Sequence, residues 1–416
     1  MSRILDVYLH EKLAGQLIQD TSGRLTFKYD ADYLSIQNPP PISLSMPCTV
    51  ATYPDKIAQP FFSGLLPDEI ARHKLAQFLG LSEKNAFALL ESIGGECAGA
   101  LALYPQGQTP PEPSSKDFEI LDDTHLLEIL KLLKRHPLMV GEKGIRLSLA
   151  GVQDKLAVGM VDGKIALVRG STPTTHILKP VLEGIEDSVH NEVFCLRLAK
   201  RVQIETPQAE IRWIGQLPYF LIERYDRIHH VHNIERLHQE DFCQILSKPP
   251  EIKYEREGGP NVKQCLDVLG LYSAQPAIDQ MSFIRRLIFN YLIGNADAHG
   301  KNYSMLFKGT YPQLAPAYDI LSTAVYPDLS SKMAMKIGGK YDPDLVFARH
   351  WYRLIDDTSA ARKNLSKELI LMSTRCIEQA LELKLEFTQE GVQSPLFDKI
   401  CKIIEKRAKR LLKEVE

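Results

Sequence analysis

No two of the seven cysteines, at positions 48, 97, 195, 243, 265, 376 and 401, stand in a CxxC pair. That excludes a zinc knuckle and a dithiol redox motif. An odd count with no framework suits a reducing cytoplasm, the expected compartment. No run approaches the ~18 apolar residues of a membrane span. The first 13 residues, MSRILDVYLHEKL, carry charges where a secretory signal needs an apolar stretch. There is no internal repeat and no low-complexity tract. Excess charge is absent too: 50 Lys+Arg against 52 Asp+Glu leave −2, with no bulk attraction to nucleic acid or membrane. What is present is ordinary globular material. Apolar residues at 44% and charged residues at 25% exclude a disordered chain. A length of 416 residues fits two or three domains at ~150 each.

The patterning divides this length. Residues 1–104 read as a mixed α/β subdomain, with strands near 6–10 and 25–29 and a helix opened by Pro67, Asp68 and Glu69. Residues 105–139 read as a Pro- and Ser-rich linker (PQGQTPPEPSSK, 105–116) followed by a helical period over 122–135. Residues 140–225 read as a β-rich lobe. A hairpin of 156–161 and 165–168 turns at Asp162-Gly163, a strand over 176–179 stops at Pro180, and a second hairpin pairs 211–214 with 219–222. A helix over 188–202 interrupts it. Residues 226–416 read as an α-rich lobe, with periodic helices over 365–386 and 396–415. The last carries Lys402, Lys406, Arg407, Lys409, Arg410 and Lys413, either a solvated face or a patch that meets phosphate. A β-rich lobe followed by an α-rich one is an α+β arrangement, with a ligand cleft expected between the lobes.

The densest polar cluster is GNADAHGKN, Gly294 to Asn302, between an apolar helix and an apolar strand. Asn, Asp and Gly alone would make this a turn. The alternative is a phosphotransfer loop: Asp297 and Asn302 have the Asp-x4-Asn spacing that protein kinases use. A strand out after Asn302 and a strand back would return Asp319 beside it, two hard oxygen ligands that suit Mg²⁺. Asp319 also reads as a helix N-cap. Lys179 at a strand end suits phosphates or a solvated surface. Ala150 to Lys155 form a short Gly-containing turn that is neither GxGxxG nor a Walker A loop. Glu223 to Arg227, ERYDR, suits a hinge or a surface run of compensating charges. A glycine turn, a strand lysine, a helix acid (Glu192), a hinge, an Asp-x4-Asn loop and a later Asp follow the kinase order of parts.

Seven segments in this order resemble the HipA family, toxin kinases of bacterial HipA–HipB toxin–antitoxin systems. They are 61–68 (FFSGLLPD), 148–155 (SLAGVQDK), 172–179 (TPTTHILK), 223–227 (ERYDR), 239–244 (QEDFCQ), 254–260 and 292–302 (LIGNADAHGKN). The resemblance implies a bilobal protein-kinase-like α+β fold, its β-rich N-lobe carrying an extra N-terminal subdomain and its C-lobe α-rich. It implies an ATP-dependent serine/threonine kinase. Asp297 would be the catalytic base, and Asn302 and Asp319 would hold Mg²⁺. Lys179 would meet the ATP phosphates under a loop of Ala150, Gly151, Val152, Gln153, Asp154 and Lys155. Glu223, Arg224 and Tyr225 would form the adenine hinge. His299, Gly300, Lys301 and Tyr318 would complete the nucleotide site. Ser148 would be the serine that the kinase phosphorylates on itself, and the phosphate's charge of about −1.5 to −2 would shut the site. An aminoacyl-tRNA synthetase would be the substrate, with growth arrest and persistence as the outcome. A helix-turn-helix antitoxin, HipB, would be the partner and would supply most of the contact with DNA. The hinge departs from the best-known member in having Tyr225 in place of Phe. Two other readings stay open: a non-catalytic co-repressor, and a hydrolase with a metal at Asp297, His299 and Asp319.

Overall fold

The structure is a computed structural model. It describes residues 2–133, 137–139, 144–230, 233–309 and 311–415, with the backbone alone at residues 115 and 137. The end of the helix expected over 122–135 and the expected start of the β-rich lobe at 140 lie outside these residues. The chain forms two compact units. The first is Met1–Pro180, Arg212–Ile252 and Ser304–Pro312, and the second is Val181–Ile211, Lys253–Tyr303 and Gln313–Glu416.

The first unit is built on two antiparallel sheets. In one, Thr52–Tyr53, Leu25–Tyr29, Lys12–Gln19, Arg3–Leu9 and Leu101–Pro105 lie in that order. The period-2 pattern explains its inner face: Leu25, Phe27 and Tyr29 are buried while Lys28 between them is exposed. In the other, Leu217–Glu223, His176–Lys179, Leu156–Val161, Lys164–Val168 and Phe118–Ile120 follow one another. Its hairpin turns on Asp162 and Gly163, with φ of 49° and 76°, the left-handed pair that such a tight turn requires. One apolar core joins the two sheets, running from Leu5 and Phe27 through Phe61, Phe62 and Leu147 to Leu178 and Leu221. Within the stretch read as a linker, residues 106–109 (QGQT) are an exposed turn and coil, yet the core continues past them.

The second unit is mainly helical. Its principal helices are Ser188–Arg201, Val262–Tyr272, Pro276–Ile293, Ser359–Gln389 and Pro395–Val415. The helix over 188–202, expected with the β-rich lobe, thus belongs here. In Pro395–Val415, Phe397, Ile400, Ile404, Ala408 and Leu411 are buried at three- and four-residue intervals, one amphipathic face. The basic run is not all a free surface. Arg407 lies over the Tyr291 ring, 5.2 Å from its centre, and donates to the Tyr291 carbonyl in the last turn of Pro276–Ile293. Lys406 and Arg410 each come within 3.7 Å of Asp344. A cation at a helix C-terminus meets unpaired carbonyls and the negative end of the dipole. Among the described residues no helix is long and apolar enough to cross a membrane. Helices and antiparallel sheets in separate parts of the chain make the fold α+β.

Candidate active site

Pro276–Ile293 starts with Pro at its first position and ends on Gly294 at φ 81°, a left-handed C-cap. The chain then enters the polar loop, and its own side chains shape it. Asn295 Oδ1 accepts from the Asp297 N–H at 3.0 Å, and Asn295 Nδ2 donates to Asn290 Oδ1 at 3.0 Å. Asn302 Nδ2 donates to the Asp297 carbonyl at 3.1 Å, closing the Asp-x4-Asn segment on itself. The single turn Gly300–Asn302 holds these two residues at that spacing. The loop is therefore more than a simple turn.

Asp319 joins this group. Strands Ser304–Phe307 and Pro312–Leu314 carry the chain away from Asn302 and back. Asn302, Tyr318 and Asp319 then line one cavity of about 10 Å³ together with Arg286, Asn290 and Asn295. The Tyr318 hydroxyl donates to the Lys301 carbonyl at 2.8 Å. Asp319 does not cap a helix. It sits at φ 55°, left-handed for a non-glycine residue, and the short turn Thr323–Val325 takes Ser322 as its N-cap. Asn302 and Asp319 offer hard oxygen donors, and Mg²⁺ takes one or two carboxylates with substrate oxygens completing its shell, so this set fits Mg²⁺. Among the described residues no three His, Cys, Asp or Glu side chains form a metal-binding group. His299 is buried, its Nδ1 has no hydrogen-bond partner, and burial with Lys253 pushes its pKa down to about 3. A transition-metal hydrolase centre at Asp297, His299 and Asp319 finds no support in this geometry.

Three residues that the sequence reading gave no role hold this loop. The Tyr254 hydroxyl donates to the Asp297 carboxylate, and the Tyr254 ring stands edge-on to His299 at 5.2 Å. Thr323 Oγ1 accepts from the Ala296 N–H at 2.7 Å and donates to the Gly294 carbonyl at 3.1 Å. Asn191, fully buried on Ser188–Arg201, accepts from the Ser322 N–H at 2.8 Å and donates to the Ser322 carbonyl at 2.9 Å. Local spacing carries no trace of these links. Only the 254–260 segment gave a signal, through its resemblance.

The remaining candidates lie in the first unit. Lys179 is 7% exposed, with its ammonium 5.0 Å from the centre of the Phe220 ring, so it is not a solvated surface lysine. Gln153 Nε2 donates to the Pro180 carbonyl at 3.3 Å, which ties the 150–155 turn to the strand end. Gly151 at φ 112° lets that turn pair with Pro67, and its carbonyl accepts from the Asp68 N–H at 3.1 Å. Lys155 reaches the Ala150 carbonyl, and Lys74 holds Asp154 at 3.2 Å. Ser148 is fully buried and its hydroxyl donates to the Leu65 carbonyl at 2.7 Å. The FFSGLLPD segment is thus the floor under the turn. At the hinge, Glu223 is exposed and Tyr225 half-buried, whereas Arg224, Asp226 and Arg227 are buried. The run is no solvated charge patch. The Arg224 N–H donates to the Thr175 carbonyl at 2.8 Å, and its guanidinium is committed to Glu96, Thr174 and Asp226.

The chain is similar to known proteins in sequence and in fold. Residues 5–104 match the HipA N-terminal domain and residues 147–382 the HipA-like C-terminal domain. The protein Y4mE of Sinorhizobium fredii is 43% identical over 341 residues, 81% of each chain. The serine/threonine-protein kinase toxin HipA of Shewanella oneidensis is 30% identical over 390 residues, 91% of this chain and 88% of that one. A chain of the solved complex of the Shewanella oneidensis MR-1 toxin–antitoxin system HipA, HipB and its operator DNA superposes with a TM-score of 0.85. It is 26% identical and the match covers 99% of this chain and 98% of that one. By its sequence, its two domains and its fold, this chain belongs to the HipA family.

Proposed function

We propose that the chain is an ATP-dependent serine/threonine protein kinase and the toxin of a toxin–antitoxin module. One observation carries the reading. Asp297 and Asn302 lie on one polar loop closed by a hydrogen bond, Asn302 shares one small cavity with Asp319, and Tyr254 is bonded to the Asp297 carboxylate. In this reading Asp297 orients a Ser or Thr hydroxyl and takes its proton. Tyr254 fixes the carboxylate, and Asn302 anchors the backbone of Asp297. Held by the Asn302 amide oxygen and the Asp319 carboxylate, Mg²⁺ would neutralise charge on the transferred phosphoryl group. Lys179 and the 150–155 turn bind phosphates, and the backbone of Glu223 and Tyr225 receives the adenine. Catalysis of this kind is mostly positioning and electrostatics, so loss of one part is severe.

The names of the relatives support a toxin kinase with a HipB partner on DNA, and the finer assignments rest on the family resemblance alone. The substrate is a translation protein, an aminoacyl-tRNA synthetase, and the outcome is growth arrest and persistence. The antitoxin is a HipB-like helix-turn-helix protein that carries the contact with DNA, and the compartment is the cytoplasm. Autophosphorylation at Ser148 inactivates the kinase. The test is transfer of labelled γ-phosphate to lysate proteins and to Ser148. Asp297→Asn should keep the fold and ATP binding and lose at least about 100-fold in transfer. Transfer at the wild-type rate by that variant overturns the assignment. A wild-type protein that transfers nothing, yet binds the antitoxin, is the outcome expected of a non-catalytic co-repressor.

A further inference from the structure

Glu96 lies in the turn between Ala86–Ile93 and Leu101–Pro105, within the HipA N-terminal domain. Its backbone faces one functional segment. The Glu96 N–H donates to the Arg146 carbonyl and the Glu96 carbonyl accepts from the Ser148 N–H, each at 2.8 Å, as an isolated parallel bridge to Leu147. Its side chain faces another. The carboxylate accepts from Thr174 Oγ1 at 2.8 Å, Arg224 Nη1 at 3.1 Å and Arg227 Nη2 at 2.6 Å.

The rest of the turn reinforces this. Asp226 is bonded twice by Arg224, at 3.0 and 2.8 Å, and accepts from the Gly99 N–H at 2.8 Å. Arg236 donates to the carbonyls of Cys97, Gly99 and Leu101. Gly99 stands at φ 71°, and a Cβ there would lie 2.6 Å from the Gln239 N, so the turn admits only glycine at its closest approach. Burial would raise the Glu96 pKa, but Arg227, Arg224 and Arg236 outweigh it and hold the carboxyl below its usual value. A network of two buried carboxylates and two buried arginines, flanked by the half-buried Arg236, is a poor source of net stability, and its better-attested use is to specify one conformation. What it specifies here is the path of 223–227.

We propose that Glu96 is a positioning residue for the nucleotide base, fixing the 223–227 hinge with its carboxylate while its backbone seats Arg146 to Ser148, so that base recognition depends on the seat of the Ser148 segment. The inference rests on the reading of 223–225 as the adenine hinge and goes beyond it. It assigns the N-terminal domain a part in nucleotide selectivity, and it gives the turn at 94–100 a role that its glycines alone did not disclose.

The test uses the full-length protein and compares ATP, GTP and inorganic tripolyphosphate as ligands. Glu96→Gln keeps the shape and removes the charge. It should weaken ATP binding and lower the preference for ATP over GTP by about 10-fold each, the effect of about one lost hydrogen bond to a charged group. Tripolyphosphate affinity should hold, and KM for ATP should rise with kcat within about 2-fold, as loss of uniform binding requires. Glu96→Asp, which keeps the charge but shortens its reach, provides the same comparison should Glu96→Gln fail to fold. An unchanged ATP-to-GTP ratio in a folded variant, even one of lowered melting temperature, overturns the proposal, because a purely structural glutamate would behave that way. A wild type that transfers phosphate but takes ATP and GTP equally also overturns it and leaves the kinase reading standing. A wild type that transfers no phosphate, with ATP preference lost in Glu96→Gln, does the reverse.

Discussion

Tyr254 is the partner of Asp297 that local sequence could not reveal, since it stands 43 positions upstream. Asp297, Asn302 and Asp319 are legible because their types are chemically restrictive and their spacing follows a known order. A tyrosine bonded to a carboxylate has no such signature. Tyr254→Phe removes one hydroxyl and leaves the ring on His299. A hydrogen bond to a charged group contributes about 1.5–3 kcal/mol, so kcat should fall by about 10- to 100-fold if the bond serves the transition state. KM for ATP should stay put, because the Tyr254 hydroxyl bonds to Asp297, the proposed base, which acts on the hydroxyl acceptor. Steady-state kinetics over ATP concentration checks this, and an unchanged kcat would remove Tyr254 from the mechanism. Glu240 makes a different residue-scale case. It is buried on His238–Asp241, where it accepts from Ser43 Oγ and the Leu44 N–H, each at 2.7 Å. Burial pushes its carboxyl up to about 8 against the pull of those two donors. The folded value exceeds the ordinary ~4.3, so between the two the folded state binds more protons and stability falls as pH rises. That stability is fully present below pH ~4.3 and gone above ~8. Glu240→Gln should therefore raise the melting temperature at pH ~8.5 and change it little near pH ~4.5. Equal shifts at both would count against a titrating Glu240.

At the scale of elements, propensity and punctuation were sufficient wherever the determinant is local. The hairpin at Asp162-Gly163, the strand His176–Lys179 and the amphipathic helix Pro395–Val415 fall where period and turn residues put them. Pro276–Ile293 shows both ends of this rule, with proline opening it and Gly294 closing it. What was not legible is the clamp on the far side. Asn191 and Thr323 grip the segments beside Gly294 and Asp319 through hydrogen bonds 131 and 29 residues long in sequence. A period counts neighbours along one element and is blind to such partners. The clamp makes Gly294 demanding in two ways. Its φ of 81° penalises any side chain, and a Cβ would lie 2.7 Å from Ala324 Cβ and 3.2 Å from Ile403 Cγ2. Gly294→Ala should cost about 1–3 kcal/mol and shift the loop carrying Asp297. Thermal unfolding and phosphate transfer should fall together. An active variant of wild-type stability would show that the loop tolerates displacement of its first residue.

At the scale of the whole molecule, composition marks contiguous stretches, and the folded units are not contiguous. The α+β class is visible because strand-rich and helix-rich stretches occupy different parts of the chain. The assignment of Ser188–Arg201 and of 226–252 to their units is not, because it depends on pairings such as His238–Asp241 with Ser304–Phe307. The stretch after Pro105 reads as a linker for sound reasons, yet the apolar core and the Glu96–Arg224–Asp226–Arg227 network both span it. This separates covalent from physical continuity and can be tested by cutting the chain there. Residues 106–109 are exposed coil and should be the preferred site of a protease nick. At neutral pH the two fragments should remain together through gel filtration. Glu96 and Asp226 are both held below their ordinary pKa: burial would raise each, and their arginine partners outweigh it. A depressed carboxylate stabilises above its unfolded value of ~4 and loses that contribution as pH falls further. The nicked pair should therefore weaken progressively as pH falls below ~4, because the carboxyls of separated fragments take up protons there while those of the assembled network resist them. Fragments that separate at pH ~7 would mean that the stretch divides two independent bodies after all, and Glu96 would lose the rigid seat from which it holds the hinge.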